Sequence, residues 1–559
     1  MARKLAITIS GAVSLGSYES GVVFEVLNAL SQHNAWAAAT NQPDERIEID
    51  VLTGASAGGM TVAMVAQRLL YDGAAMAAAY DNPLYCAWVQ DVDITGLLAR
   101  QKDELASLSV LSSDLVISIS EKYLMGRYPQ PGPALAAAVP HAALGEDGML
   151  SLGLALSNLN GVDYERVSLT KTPFVYTRHA EEYLRPQIGV PQDQHEFWDD
   201  VRAKAVACGA FPLMFRTQDL VREISDFEDS PFLVKELWNG EASTTFTYTD
   251  GGVFQNEPLG MAKNLVDLLP GGHLNAGCRG YLYIAPKPKS SQAVGETTFS
   301  AATADYKTLG LRLANAVFEQ AGFQDWAMAE QVNQKLEFLD ARADELQALF
   351  ASGRLTAAMT APVAAVLLPA FFPATAAAST EVQLEAARAQ LATQYTKEYT
   401  AFGADLATAN AWLDSVLVLE LAAGLHWKEE MQIYDFVAEP DLLASGGMVA
   451  FGGFFDVRYR KHDYDYGRSV AQARLRDYAG LAGSVFANLH WTPTAIDAID
   501  PALNNLQMTS VDQGLREKVA SQLDGAANAL LQELGLDELE RLGVNQCLLE
   551  KQIKGLLSL

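Results

Sequence analysis

Three stretches of the chain carry residue types that can do nucleophilic chemistry on a carbonyl: Gly54-Ala55-Ser56-Ala57-Gly58, Asp250-Gly251-Gly252, and Ser10-Gly11-Ala12-Val13-Ser14-Leu15-Gly16. A serine at a tight strand-to-helix turn holds its hydroxyl outward, and small neighbours let the backbone bend that sharply. Ser56 is therefore the candidate nucleophile, with Gly54 and Gly58 as the glycines of its elbow. The string by itself is weak, because average composition produces it by chance. Its context is stronger: Ile47, Ile49, Val51 and Leu52 form a β-rich run before it, and an apolar helix through Met60, Met64 and Leu69 follows. The N-terminus of that helix favours the negative charge that develops when a hydroxyl attacks a carbonyl.

Asp250 closes the β-branched and aromatic run Thr244-Thr245-Phe246-Thr247-Tyr248-Thr249 and precedes two glycines, Gly251 and Gly252. That is the sheet edge at which open α/β folds place their chemistry. Structural turns also use Asp-Gly-Gly, so the residue is a candidate by position and type together.

The first stretch follows a strand, Leu5 to Ser10, and leads into a helix marked by Val22, Val23, Val26, Leu27 and Leu30. Strand, small-residue loop and helix leave amide N–H groups ready for an anion. A dinucleotide fingerprint needs glycine where Val13 stands. A P-loop needs Lys followed by Ser or Thr where Ser17-Tyr18 follows. An oxyanion hole needs only two or so well-placed amides, which tolerates Ala12 and Val13. Gly11, Ala12 and Val13 are thus candidate oxyanion donors, with a plain strand-loop-helix connection as the bland alternative.

The elements that must position these residues read as an α/β fold. One strand precedes the nucleophile strand, which argues against the α/β-hydrolase fold, where the elbow comes later and a histidine follows the acid. Pro173-Phe174-Val175-Tyr176-Thr177 reads as a third strand, and Gly280 to Pro286 as a fifth after Thr244–Thr249. Ala203 to Phe215 holds a small-residue helix end halted at Pro212. Asp81 to Gly161 alternates Ala- and Leu-rich pieces with Pro129-Gln130-Pro131-Gly132-Pro133 and Gly145-Glu146-Asp147-Gly148, and is expected to form short helices and loops rather than sheet.

From about Thr298 to Lys428 the texture is helical: Leu384, Leu391, Tyr395, Phe402, Leu406, Leu413 and Leu417 keep one face apolar. Leu355 to Thr380 carries no charge, but Pro362, Pro369 and Pro373 argue against a membrane span. A buried helical connection is expected there, with a lipid-touching flap through Val366-Leu367-Leu368 and Phe371-Phe372 as the sharper alternative. Phe454 to Arg460 and Asp463 to Arg468 form an aromatic and charged cluster leading into another helix. Leu515, Val519, Leu523, Leu530 and Leu534 mark a C-terminal helix, followed by a short one ending at Leu559.

Composition narrows the function. With 559 residues, 49% of them hydrophobic, the chain can bury a large core. A net charge of −28, from 40 Lys and Arg against 68 Asp and Glu, repels phosphate backbones, so no nucleic-acid partner is expected. Cys86, Cys208, Cys278 and Cys547 have neither disulfide-framework nor metal spacing, and point to a reducing compartment. The opening Met1 to Ile9 reads as a first strand, not a leader. A cytoplasmic protein, peripheral to a membrane when it meets a lipid, is the default, with leaderless export left open.

With these motifs in order, the chain resembles the long bacterial members of the patatin-like phospholipase family. The likeness rests on Ser10 to Gly16, Gly54 to Gly58 and Asp250-Gly251-Gly252-Val253-Phe254-Gln255-Asn256-Glu257-Pro258. Supporting blocks are Pro173 to Thr177, Ala207-Cys208-Gly209-Ala210-Phe211-Pro212 and the cluster ending at Gly467-Arg468. One departure stands out. The family's first motif is usually a glycine run followed by a basic residue, whereas here Ala12 and Val13 replace glycines and Leu15 stands at the basic position.

The resemblance implies a three-layer α/β/α core with a mostly parallel sheet in a catalytic domain over 1–297, a helical region over 298–445, and a mostly helical C-terminal region over 446–559 packing on the core. It implies a serine acyl hydrolase of the phospholipase A type, cleaving phospholipid or lysophospholipid esters through a Ser56–Asp250 dyad and an acyl-enzyme. Gly11, Ala12 and Val13 would hold the oxyanion, and neither metal nor cofactor is required. A transient membrane or micelle surface is the implied partner. None of the eight histidines has a motif around it; His179 reads as a surface or loop residue. The alternatives are an esterase or acyltransferase for soluble acyl groups, and a catalytically decayed binding protein on the same fold.

Overall fold

The structure, a computed structural model, describes residues 2–99, 104, 108–125, 139–167, 171–189, 194–227, 233–269, 278–286, 306–372, 379–423, 431–446, 448 and 451–533. Pro129–Pro133, Pro373, the 297/298 boundary, Leu534 and the short helix ending at Leu559 lie outside the described residues.

Among the described residues eight strands form one mixed sheet: β1 (Arg3–Ile9), β2 (Ile47–Gly54), β3 (Leu150–Val167), β4 (Pro173–Ile188), β5 (Gln218–Glu223), β6 (Ser243–Thr249), β7 (Arg279–Ala285) and β8 (Ile433–Val437). Their order is β5-β6-β3-β2-β1-β7-β8, with β4 paired to β3. The central pairs β1/β2 and β2/β3, and β7/β8 beyond them, are parallel, and β4, β5 and β6 make antiparallel pairs at one side. Six of the seven residues of β1 and all seven of β7 are buried. Strands buried on both faces need helices on both faces, which is the three-layer α/β/α architecture.

The helices used below are α1 (Gly16–Ala39), α2 (Ala57–Tyr71), α3 (Ser113–Ser120), α4 (Gln194–Cys208), α5 (Leu259–Leu268), α6 (Tyr306–Ala351), α7 (Ala357–Phe371), α8 (Thr380–Gln394), α9 (Leu406–Ala422), α10 (Val457–Ala479) and α11 (Gln513–Glu533). The chain divides into two compact units: 1–269 with 281–325 and 433–559, and 270–280 with 326–432. The second is helical. Its core gathers Phe350, Leu368, Leu391, Trp412 and Leu417, and Trp412 Nε1 donates to the carbonyl of Ala343 at 3.0 Å.

In the α/β unit, α10 packs along α1, the helix that follows the first loop. The two backbones nearly touch: a Cβ on Gly21 would lie 2.0 Å from the Tyr464 carbonyl oxygen, and one on Gly467 would lie 2.2 Å from that of Tyr18. Arg468 reaches Glu25 across this crossing at 2.9 Å, with both side chains fully buried. Gly453 N–H donates to Ser14 Oγ at 3.1 Å, so the C-terminal part of this unit also braces the first loop.

Three expectations need correction. Leu150 to Gly161 is strand, not helix and loop: Leu150, Leu152, Leu154 and Leu156 alternate at period two, and β3 gains neighbours in β2, β4 and β6, which only the assembled sheet provides. The aromatic and charged cluster does not merely lead into a helix; from Val457 on it is the first half of α10. The uncharged run around α7 is not wholly buried. Ala364 and Leu368 face inward, while Met359, Val363, Val366 and Phe371 are exposed, as expected where a helix packs on one side. Among the described residues no helix is long and apolar enough to cross a membrane.

Candidate active site

The register of the sheet brings two distant residues to one edge. Gly54, the last residue of β2, pairs with Leu154 of β3, and Ser157 of β3 pairs with Thr249, the last residue of β6. Both strand ends therefore open toward the same stretch of β3. Ser56 leaves β2 with φ of 50° and ψ of −125° and caps α2. Few non-glycine residues adopt that backbone, and it throws the hydroxyl clear of the turn. Glycine is required on either side: a Cβ on Gly54 would meet the Gly58 carbonyl at 2.5 Å, and one on Gly58 would lie 2.4 Å from the Ile9 carbonyl oxygen.

Ser56 Oγ donates to Asp250 Oδ2 at 2.6 Å. The other carboxylate oxygen, Oδ1, accepts the N–H of Gly252 at 2.7 Å, so Asp250 is oriented by the turn it begins. Its own N–H donates to the Ala210 carbonyl at 2.9 Å, tying it to the end of α4. Asp250 is 1% exposed. Burial raises its pKa to about 7, and the Ser56 and Gly252 hydrogen bonds hold the rise in check.

The loop after β1 lies beside this pair. A Cβ on Gly11 would be 3.0 Å from Ser56 Cβ and 2.2 Å from Asn256 Oδ1, so glycine is needed for the loop to approach. The Gly11 N–H is already donated to the Asn256 carbonyl at 3.1 Å. Of the three amides expected to face an oxyanion, those of Ala12 and Val13 therefore remain. Val13 takes a φ of 51°, the left-handed conformation that a glycine at this point would adopt without cost. Leu15 is fully buried in the core.

An open cleft of roughly 780 Å³, counting the solvent at its mouth, begins at Ser56 and Val13. Its walls include Met60 and Met64 of α2, Trp88, Val116 and Ile119 of α3, Leu124, Val206 of α4, Phe211 and Phe454; no charged side chain lines it. His179 does not join the dyad's hydrogen bonds: its Nδ1 is 2.7 Å from the Asn158 carbonyl oxygen.

Sequence reasoning missed Asn256, although it lies inside the Asp250 motif, and it missed the cleft walls supplied between residues 86 and 125. Cys208 also went unrecognised as a part of the site. It packs under the elbow, where a Cβ on Gly59 would come 2.4 Å from its Sγ, and burial pushes its thiol well above the usual range.

Residues 7–263, just under half of the chain, match the family model described as patatin-like phospholipase, and that part of the chain is similar to this family. An uncharacterized protein, y4iI, of Sinorhizobium fredii (strain NBRC 101917 / NGR234) is 23% identical over 330 residues, covering 46% of this chain and 44% of that protein. The chain thus spans less than half the length of this curated relative. The crystal structure of VipD from Legionella pneumophila aligns with 100% of this chain and 85% of its own at 10% identity and a TM-score of 0.23, an overlap too loose to bear on function.

Proposed function

We propose that this protein hydrolyses the carboxylic esters of lipids, phospholipid or lysophospholipid, as a phospholipase A-type enzyme with Ser56 as nucleophile and Asp250 as its base. The observation that carries the reading is the 2.6 Å hydrogen bond between Ser56 Oγ and a fully buried Asp250 carboxylate. A carboxylate with a pKa of about 7 is basic enough to accept the hydroxyl proton near neutrality, which an ordinary aspartate at about 4 is not.

Ser56 Oγ attacks the acyl carbon while its proton passes to Asp250 Oδ2. The carbonyl oxygen becomes an oxyanion, held by the Ala12 and Val13 amides and the N-terminus of α2, each good donor contributing about 3 kcal/mol. Collapse breaks the ester C–O bond, and Asp250 returns the proton to the departing alcohol. Water then attacks the acyl-enzyme, losing its proton to Asp250, and the cycle reverses to free acid and enzyme.

A hydrocarbon-lined cleft favours lipid over soluble acyl groups. A higher rate on micellar than on monomeric substrate separates the two. The test of the reading is labelling by a fluorophosphonate probe: wild-type protein labels at Ser56, and Ser56→Ala does not. An unlabelled wild-type protein overturns the enzyme reading in favour of a binding protein.

A further inference from the structure

The cleft follows one helix. Ser56 caps α2, and Met60 and Met64 stand one and two turns beyond it on the same face, because side chains four apart in a helix lie in line. At 1.5 Å of rise per residue, Met60 is about 6 Å and Met64 about 12 Å from the serine along the helix axis. The end of α4 supplies the facing wall, with Gly209, Val206 and Ala205. No residue of α2 beyond Met64 lines the cleft.

At the distal end one wall is pinned to α2. Leu124, which lines the cleft, belongs to Glu121–Met125, and the backbone of that segment is pinned to α2 just past Met64. Gln67 Nε2 donates to the Leu124 carbonyl at 2.7 Å, and Arg68 Nη2 donates to that of Tyr123 at 2.7 Å. Met64 and Leu124 are both buried. With no charged side chain in the walls, hydrocarbon is the occupant whose burial is favourable, and a headgroup charge would lose its hydration there uncompensated.

We propose that this track is the acyl-chain site, and that Met64 with Leu124 forms a blind end that sets the length of acyl chain accepted, favouring medium chains. The proposal rests on Ser56 being the nucleophile. A membrane-lipid acyl chain reaches about 15 Å, half of the hydrocarbon core of a bilayer. The track to Met64 is about 12 Å, so a full-length chain has to displace the side chain of Leu124 from a backbone that these two bonds hold in place. Met60 packs on Gly209 so closely that a Cβ there would lie 1.9 Å from Met60 Cε, and an alanine at 209 would push Met60 into the track.

The experiment is a chain-length profile of kcat/KM on p-nitrophenyl butanoate, octanoate, dodecanoate and hexadecanoate in one detergent. Ratios between substrates on a single preparation cancel any loss of folded protein. The wild type peaks at octanoate. Met64→Ala raises the hexadecanoate-to-octanoate ratio by roughly tenfold, the discrimination a methylene or more commands in an apolar pocket. Leu124→Ala moves it the same way and serves if Met64→Ala is poorly folded. Met64→Trp lowers the dodecanoate-to-butanoate ratio, and Gly209→Ala lowers even the octanoate-to-butanoate ratio, because its constriction is nearer the serine. Hydrolysis of every ester with identical ratios in all variants overturns the acyl-length assignment while leaving the nucleophile standing. No hydrolysis of any ester, with no probe on Ser56, overturns the reading beneath it.

Discussion

Ser56 and Val13 line the same cleft with nearly the same left-handed φ, 50° and 51°. At Ser56 the conformation serves the elbow. At Val13 it is a cost of about 1–2 kcal/mol for a β-branched side chain. Val13→Gly removes that strain and is expected to be at least as stable as Val13→Ala, which keeps the strain and also loses packing. This reverses the usual order, in which alanine is the more stable. Chemical denaturation of the two variants measures it, and a Val13→Ala protein more stable by about 1 kcal/mol, the ordinary cost of glycine, removes the argument.

The Asp250 base must be ionised to work. Its pKa of about 7 means that kcat/KM for a p-nitrophenyl ester falls about tenfold per pH unit on the acid side of 7 and levels off above it. A profile flat down to pH 5 would place the base elsewhere.

The same shift has a cost in stability. A carboxyl whose pKa is raised by folding from about 4 to about 7 favours the fold while protonated. That contribution is complete below pH 4 and is lost as the pH climbs through 7, amounting to about 4 kcal/mol at 1.36 kcal/mol per unit. Asp250→Asn carries no such charge. It should lose ester hydrolysis by several orders of magnitude, yet its melting temperature relative to wild type should rise between pH 5 and pH 8. A difference in Tm that does not change with pH counts against the buried carboxylate.

Arg468 and Glu25 meet at 2.9 Å where α10 crosses α1, with no exposure on either side. Arg468 also donates to Thr494 Oγ1 and the Ala495 carbonyl, at 2.7 and 2.9 Å. Glu25 is the nearer of two buried carboxylates on Arg468, Asp465 Oδ1 being at 3.6 Å, so Glu25→Leu should cost about 3 kcal/mol, and Glu25→Leu with Arg468→Met should cost clearly less than the sum of the single changes. Additive costs in a denaturant double-mutant cycle would show that the pair is not coupled.

Much of the site could be read from local pattern. The elbow, the first loop and the Asp-Gly-Gly turn each follow a strand whose side chains alternate or branch at Cβ, and each needs glycine where the backbone turns sharply. Those requirements act within a few residues, so they leave their mark in order. The helical texture after residue 306 was equally legible, since the 3.6-residue period is a property of one segment. Leu150–Gly161 was not. Its leucines alternate, but Gly153 and Ala155 lie between them, and what makes it a strand is pairing with β2, β4 and β6, two of them more than 80 residues away.

What the linear order of residues determined on its own was the set of chemical groups and the turns that present them: a serine at a strand end, a carboxylate before two glycines, a loop with free amides. Only the tertiary structure decided that the hydroxyl and the carboxylate meet at 2.6 Å, that burial lifts the carboxylate to about 7, and that the Gly11 amide is taken by Asn256. Distance, dielectric and competition for a donor depend on everything packed around a group. They exist only once α4, α5 and the braced first loop have closed over the sheet.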